Sequence, residues 1–277
     1  MKRRSFVGAL GAASFGAVLE GSLAEFARAE NSARGVANLP GQAAKSEFPE
    51  GAAIVMVHGA WADGYCWSNI ILPLKRRGLN AICAPIPLTS FSEDVAALGH
   101  ALGRTTGPVV LVGHAYSGAV IAAVREERVK SLVYVAALAP DEGETVAKVF
   151  YREPSHPEAP KLAPDSHGLI WIPDGGFQQA VAHKASADQT SIAAAVQRPI
   201  ALQCIQEPVS APAWKTKPSW FLIAEEDRMI SPKTQHFMAD RMHAHAQSHR
   251  VDHSPMYTEP NLVVGIILEA ASQTLSR

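Results

Sequence analysis

Short apolar runs that alternate with longer helical stretches constrain the fold of this chain more than any other feature. Five runs lack the apolar/polar alternation of a half-exposed strand and a sixth is weaker; they lie at 53–57, 80–84, 109–112, 129–135, 219–223 and 248–251. The stretches that favour helix lie at 65–77, 92–104, 116–126, 232–242 and 259–273. Strands without alternation are buried on both faces, and strands that alternate with helices form parallel sheets. The sequence therefore predicts an α/β fold with a doubly wound, mostly parallel sheet.

Residues 141–216 break this rhythm. They contain many prolines, several histidines and isolated aromatic residues, and no run with the character of a strong strand. Helices are expected near 177–185 and 188–197. A long insertion between two core strands, on the side where the strands end, is typical of a lid over a ligand site. We therefore expect a helical lid insertion at 141–216.

The first thirty residues have the composition of an export signal. A basic start with a twin arginine at 3–4 precedes a small, apolar run to about Leu19, and an A-x-A pattern follows at 27–29. These features predict a Tat-like export signal at 1–29 and an exported protein, periplasmic or secreted. The apolar run is too short to remain in a bilayer, so we expect no stable membrane insertion. Residues 30–49 are interpreted as a linker and 50–277 as the folded domain.

Composition and motifs exclude several classes of partner. The 277 residues carry a formal net charge of −1, whereas nucleic acids and anionic membranes usually require a basic excess. The three cysteines, at 66, 83 and 204, are too few and too scattered for a disulfide framework or a zinc site, although one pair could form. The histidines at 243, 245 and 249 lack a carboxylate or cysteine that would complete a metal site. With no G-x-G-x-x-G or P-loop motif, the sequence predicts no cofactor.

The motif that carries the most chemical information is G-H-A-Y-S-G-A-V at 113–120. A predicted strand runs into Gly113, turns sharply and leaves as a helix, which is the outline of the nucleophile elbow G-x-S-x-G. Strand and helix pass so close in this turn that only small residues fit around it, and Gly113, Ser117 and Gly118 supply them. This spacing assigns the nucleophile to position 115, which is occupied by Ala115.

Several segments together resemble a known family. The motif at 113–120 is similar to the elbow of α/β-hydrolase esterases of the methyl-salicylate esterase and hydroxynitrile lyase group and their bacterial relatives. V-H-G-A-W at 57–61, followed by Trp67, resembles the oxyanion loop of that family, and 135–144 resembles the segment leading into its lid. E-D-R-M-I-S-P at 226–232 resembles the acid loop, and H-S-P-M at 253–256 the histidine loop. The resemblance covers about 50–277 and implies the α/β-hydrolase fold and a Ser/His/Asp triad.

Ala115 is the one departure, because the family has serine there. Either the serine was deliberately replaced to trap a substrate, or the nucleophile was lost naturally; we favour the first, since every other element is present. Ser117 is an alternative nucleophile, but two residues into the helix it would face away from the elbow tip. In either case we expect the Ala115 chain to bind substrate with little or no turnover.

The base and the acid of such a triad follow the nucleophile in chain order. His253 lies after the final predicted strand and before the final helix, and we assign it as the base. Asp227 follows the strand at 219–223 and matches the acid of the family. Glu225 or Glu226 is the nearby alternative and Asp141 the distant one.

Backbone N–H groups of Ala60 and Tyr116 are the candidate oxyanion donors, since Tyr116 begins a helix and helix N-termini point free donors at negative charge. We expect Trp61, Trp171 and Trp214 to line an apolar substrate pocket. His58 and His114 are interpreted as structural. The sequence thus predicts a cofactor-free carboxylic-ester hydrolase that acts on a small or medium apolar ester. The alternatives are a lyase or cofactor-free oxygenase, and a ligand-binding protein without catalysis.

Overall fold

The structure is a computed structural model that describes residues 47–275. The predicted export signal and the predicted linker as far as residue 46 lie outside the described residues. Phe48, which the sequence analysis assigned to the linker, is buried in the core. No helix of the described region is long and apolar enough to cross a membrane.

The described strands are, in chain order, β1 (Ala53–Val57), β2 (Asn80–Ala84), β3 (Val109–His114), β4 (Val129–Val135), β5 (Leu169–Ile170), β6 (Ile200–Ala201), β7 (Ser219–Ala224) and β8 (His245–His249). Six of them form the central sheet in the order β2-β1-β3-β4-β7-β8, and every neighbouring pair is parallel. The strand order reverses between β1 and β3, and ligand sites of doubly wound sheets lie outside the carboxyl ends of the strands at such a point. The predicted fold class is confirmed.

The described α-helices are α1 (Ser68–Arg76), α2 (Phe91–Leu102), α3 (Ser117–Ala122), α4 (Val146–Phe150), α5 (Ala187–Ala195), α6 (Leu202–Gln206), α7 (Pro232–Arg241), α8 (Pro255–Thr258) and α9 (Pro260–Thr274). Short 3-10 helices occupy Gly64–Trp67 and Ala213–Lys215, and a π-helical turn occupies Phe177–Val181. The predicted helix at 116–126 ends early, at Ala122, because the next residues bond three positions back instead of four.

Alternate residues of the central strands enter two separate apolar cores, one on each face of the sheet. Val55 and Leu111 join the core that covers α2 and α3. Ile54 and Val110 join the core that covers α1 and α9. Because both faces are covered, β1 and β3 need apolar side chains at every position, which explains their continuous apolar runs.

The sixth strand of the sheet lies three residues earlier than predicted, at His245–His249 instead of 248–251. This strand bonds only to β7, so it forms the edge of the sheet and its side chains are exposed or half-buried. An edge strand accepts polar residues, and a search for apolar runs therefore missed it. Val251, the apolar residue on which that prediction rested, is buried in the loop that follows the strand.

The insertion at 141–216 is mostly short helices and loops, with one element that the sequence analysis did not predict. The strands β5 and β6 pair antiparallel and join two distant parts of the insertion. Because each of these strands has only two residues, its sequence shows no recognisable periodicity. The amide of Ala201 in β6 also donates to the carbonyl of Leu88, which fastens the insertion to the loop before α2.

Candidate active site

The turn between β3 and α3 has the backbone of a nucleophile elbow. Ala115 adopts a φ of +50°, in the left-handed region that non-glycine residues rarely occupy. Its carbonyl oxygen accepts hydrogen bonds from the amides of Leu138, at 2.9 Å, and Gly118, at 3.2 Å. These bonds hold the strained residue in place, and Ala115 lines an apolar cavity.

The small residues around Ala115 are required by close backbone contacts. A Cβ atom on Gly113 would lie 2.8 Å from the carbonyl oxygen of Ser117, and one on Gly118 would lie 2.4 Å from that of Leu138. Neither contact is tolerable, since real Cβ atoms essentially never come within 3.0 Å of another heavy atom. The spacing that predicted the elbow thus has a steric origin.

Ser117 is fully buried and bonds to the backbone. Its hydroxyl oxygen lies 2.8 Å from the carbonyl of Val57 and 2.9 Å from that of His114, and it accepts from the His114 amide at 2.9 Å. No bond joins Ser117 to His253 within the described chain. The side chain ties β1 to the elbow, which is a structural arrangement and not that of a nucleophile.

His253 and Asp227 form a buried pair. Nδ1 of His253 lies 2.8 Å from Oδ2 of Asp227, and because a carboxylate only accepts, Nδ1 carries the proton. The other carboxylate oxygen, Oδ1, accepts from the amides of Met229, at 2.7 Å, and Ile230, at 2.9 Å. Nε2 is then the ring nitrogen left for a ligand, and His253 lines the same cavity as Ala115.

Gln235, on the first turn of α7, is a further member of the site that the sequence analysis did not single out. Its Nε2 donates to Oδ2 of Asp227 at 2.8 Å and to the carbonyl of Ile230 at 3.0 Å, while its Oε1 accepts from the amide of Ala224. A glutamine in a helix gives no functional signal by itself. Only the fold shows that it turns inward to hold the carboxylate.

The other carboxylates that the sequence left open lie away from His253. Glu225 bonds to His236, Glu226 pairs with Lys184 and Arg250, and Asp141 pairs with Lys215. All of these pairs are at least partly exposed. Of the acidic candidates, only Asp227 contacts His253.

Two further histidines, His114 and His58, are buried next to residues of the site. Nε2 of His114 donates to the carbonyl of His253 at 2.8 Å, and the two rings lie 4.8 Å apart. Burial, aided by repulsion from His253, lowers the pKa of His114 to about 3, so it stays neutral. Burial likewise lowers the pKa of His58 to about 4. Both rings therefore remain uncharged in the fold.

The loop after β1 lies against the elbow. A Cβ on Gly59 would lie 2.9 Å from Nδ1 of His114 and 3.1 Å from the Cβ of Ala115, so glycine allows this close approach. Within residues 47–275, the amides of Ala60 and Tyr116 donate to no protein acceptor. Trp61 follows with a φ of +58°, and its Nε1 donates to the carbonyl of Ile170 in the lid at 2.9 Å. The two amides are thus available to a ligand beside Ala115.

Tyr116 is held by a carboxylate that the sequence analysis did not identify. Its phenol donates to Oδ2 of Asp94 at 2.7 Å, and the amide of Leu88 donates to Oδ1 at 2.7 Å. Asp94 is completely buried, and burial raises its pKa. Cys204 of the lid helix α6 also contacts this pair. The cluster connects α2, the elbow and the lid.

The cavity above Ala115 contains about 550 Å³ of empty space, including its mouth. It is apolar except for His253 and the phenols of Tyr116 and Tyr151. Its lining includes Trp61, Leu138, Val146, Phe150, Leu162, Ile170, Ile200, Ile205, Met229 and Ile230. Most of the apolar wall therefore comes from the lid.

Of the three tryptophans expected to line this cavity, only Trp61 does so. Trp171 is 44% exposed on the outside of the lid, where its Nε1 bonds to Asp165. Trp214 is buried at the base of the lid, where it donates to the carbonyl of Pro140 and packs against Arg241. The prediction for Trp171 and Trp214 is corrected, because an isolated aromatic residue does not reveal which way its backbone turns it. No cluster of His, Cys, Asp or Glu in the described region could hold a metal ion.

Comparison with known proteins identifies the family. Residues 54–266, most of the chain, match the model of the alpha/beta hydrolase family. The chain belongs to this family. It is similar to a carbendazim hydrolyzing esterase of Nocardioides sp. (strain SG-4G), with 28% identity over 48% of this chain and only 57% of that esterase. It is 25% identical to the alpha/beta hydrolase nvfD of Aspergillus novofumigatus, over 80% of this chain and 98% of the other.

Among solved structures, a variant of tomato methylketone synthase I complexed with beta-ketoheptanoate has the same fold. It superimposes with a TM-score of 0.70 at 17% identity, covering 80% of this chain and 98% of the synthase. At this identity the likeness concerns the fold.

Proposed function

We propose that this protein has the site of a carboxylic-ester hydrolase and that its Ala115 form binds a small or medium apolar ester without turning it over. The observation that carries the proposal is that Ala115, Nε2 of His253 and two free amides meet at one apolar cavity. Acyl transfer requires these parts, except for the hydroxyl that alanine lacks.

In a chain with serine at 115, the hydroxyl would attack the ester carbonyl while Nε2 of His253 takes its proton. Asp227 would stabilise the imidazolium, and the amides of Ala60 and Tyr116 would bind the oxyanion. His253 would then return the proton to the leaving alkoxide, and water would release the acid by the same steps in reverse. The strained backbone at 115 would point the nucleophile at the carbonyl.

The lining of the cavity supports an apolar acyl group. Its walls are formed by aliphatic and aromatic side chains, and no lysine, arginine or carboxylate of the described region lines it. Burial of each methylene of an acyl chain there is worth about 0.8 kcal/mol. Ester hydrolysis also agrees with the name of the Nocardioides esterase.

The test is the substitution Ala115→Ser, assayed on 4-nitrophenyl esters of short acids. We expect a gain in hydrolysis of at least about a thousandfold, since loss of a triad member costs several powers of ten. Ala115→Gly is the matched control, because it tolerates the same backbone and adds no hydroxyl. Hydrolysis by the Ala115 chain that disappears in Ser117→Ala, or no gain with Ala115→Ser, would contradict the proposal.

A second candidate function needs no nucleophile, and the missing hydroxyl of Ala115 favours it. A β-keto acid bound in the apolar cavity could lose CO₂ while the two amides stabilise the enolate and protonated His253 supplies the proton to carbon. Its supporting relative is the synthase complexed with beta-ketoheptanoate. Incubation of the Ala115 protein with beta-ketoheptanoate should then release CO₂ and 2-hexanone faster than buffer does, and His253→Gln should abolish the excess.

A further inference from the structure

A second cavity lies beside the first and shares part of its wall. It contains about 450 Å³ of empty space, including its mouth. Ala60, Trp61 and His253 line both cavities, whereas Ala115 lines only the first. Trp61 therefore stands between them, and its indole is fixed to the lid by the bond to Ile170. A ligand whose carbonyl lies beside Ala115 and His253 can extend one limb into each cavity.

The two cavities differ in chemistry. The first has apolar walls, as described above. The second is partly polar, with Asp63, His114, Ser254 and Tyr257 among its lining residues. Among the described residues that line it, Asp63 is the only carboxylate, and none is a lysine or arginine. A carboxylate in this wall would favour a positively charged or hydrogen-bond-donating group on a ligand.

Only one of the two carboxylate oxygens of Asp63 has a hydrogen-bond partner in the described region. Its Oδ1 accepts from the amide of Tyr65 at 2.9 Å and so caps the short helix Gly64–Trp67. Its Oδ2 makes no hydrogen bond or ion pair with any residue in 47–275. The side chain is half-buried, so this oxygen can be reached from the cavity that Asp63 lines. A donor on a bound ligand would satisfy this oxygen.

The residues that line the two cavities indicate which limb of an ester enters which cavity. In ester hydrolysis the base returns its proton to the leaving alkoxide, so the alcohol limb lies on the side of His253. The acyl carbon lies at position 115, which faces only the first cavity. We therefore place the apolar acyl limb in the first cavity, and the alcohol limb passes His253, which lines both cavities, into the second.

We propose, building on the function proposed above, that the ligand is an ester with an apolar acyl limb and an alcohol limb that carries a cationic hydrogen-bond donor, such as a protonated amine. The acyl limb fills the cavity above Ala115. The ammonium group of the alcohol limb reaches Oδ2 of Asp63 on the far side of Trp61. This substrate class is narrower than an apolar ester.

Binding to the Ala115 protein tests the inference without any need for turnover. Two hexanoate esters of the same shape are compared by calorimetry near neutral pH: the 2-(dimethylamino)ethyl ester, which is protonated, and the 3-methylbutyl ester, which is neutral. We expect the protonated ester to bind about fivefold to tenfold more tightly, the range of a partly exposed charge-assisted hydrogen bond. The preference should shrink at high salt.

Asp63→Asn is the matched variant, since asparagine still caps the helix at Gly64–Trp67 but carries no charge. It should remove the preference and leave the binding of the 3-methylbutyl ester unchanged. Ala193→Leu, which fills the second cavity, should weaken the binding of both esters but not that of methyl hexanoate. Ala147→Leu, which narrows the first cavity, should weaken the binding of all three compounds.

Equal binding of the two esters, or a preference that survives Asp63→Asn, would overturn this inference while leaving the proposed function intact. Failure of every ester to bind would count against the proposed function, and this inference would fall with it. Thermal melting of Asp63→Asn checks that the variant is folded, so that a lost preference reports the charge.

Discussion

The phenol oxygen of Tyr116 lies 2.7 Å from Oδ2 of Asp94, and this hydrogen bond is buried between the elbow and α2. The same carboxylate accepts the amide of Leu88, which has a φ of +63°. The bond therefore connects the residue that carries a candidate oxyanion amide to a strained loop that the lid also contacts. Tyr116 is fixed at both ends, by the backbone of α3 and by Asp94.

Tyr116→Phe should destabilise the protein by about 1–3 kcal/mol, because it leaves a buried carboxylate oxygen without its donor. The loss should be smaller in an Asp94→Asn background, where the neutral amide still accepts from Leu88 and is less costly to bury. Urea denaturation of the four proteins measures the coupling between the two residues. Additive effects would show that the bond contributes nothing to stability.

Gly118→Ala should cost about 2–3 kcal/mol or prevent folding, since its Cβ would lie 2.4 Å from the carbonyl oxygen of Leu138. Gly265→Ala is the control within the same chain. It lies inside α9 with nothing within 4 Å of the new Cβ, so it should stabilise the protein by up to about 1 kcal/mol. Equal melting temperatures for the two variants would contradict the steric argument.

Stability should fall as the pH drops from 7.5 to 5. His114 and His58 have their pKa values lowered to about 3 and about 4, so both remain neutral in the fold while the unfolded chain takes up protons below about 6.5. The unfolded state is therefore favoured on acidification, by about 2 kcal/mol for each histidine at pH 5. Calorimetric melting across this window measures the slope, and His114→Gln should reduce it. A flat profile would show that one or both rings are protonated in the fold.

Gln235→Met should lower kcat for ester hydrolysis in an Ala115→Ser background by roughly tenfold or more, with little change in KM. The variant keeps the volume of the side chain but releases Oδ2 of Asp227 from one of its donors, so the carboxylate orients His253 less well. Glu225→Gln, which alters an acid away from the pair, is the control and should leave kcat unchanged. A change in KM alone would indicate damage to the cavity.

The sequence was sufficient for the parts of the fold that depend on patterns along the chain. The runs at 53–57 and 129–135 match β1 and β4 residue for residue. β1 is apolar throughout because it is buried on both faces, and β4 is buried except at Lys130. The small residues at 113 and 118 predicted the elbow because backbone atoms of Ser117 and Leu138 exclude any side chain there. Because such steric limits depend on the local backbone, they can be predicted from the motif alone.

Where residues far apart in the chain must meet, only the tertiary structure decided the outcome. Asp227 rather than Glu225 or Glu226 contacts His253, although all three stand together in one acidic run. Gln235 and Asp94 hold the site through contacts that no spacing predicts. The direction in which a side chain points depends on how loops and lid pack.

The insertion at 141–216 shows the same difference between what the sequence predicted and what only the tertiary structure decided. Composition identified an insertion at 141–216, but its strands of two residues have no period, and its tryptophans gave no indication of where they point. Trp171 faces outward and Trp214 packs beneath the lid, while Trp61 separates two cavities. The sequence by itself determined the sheet, the elbow and the alanine at its tip, because these depend on neighbours along the chain. The partners of His253 and the shape of the cavities depend on contacts between distant segments, which only the packed structure provides.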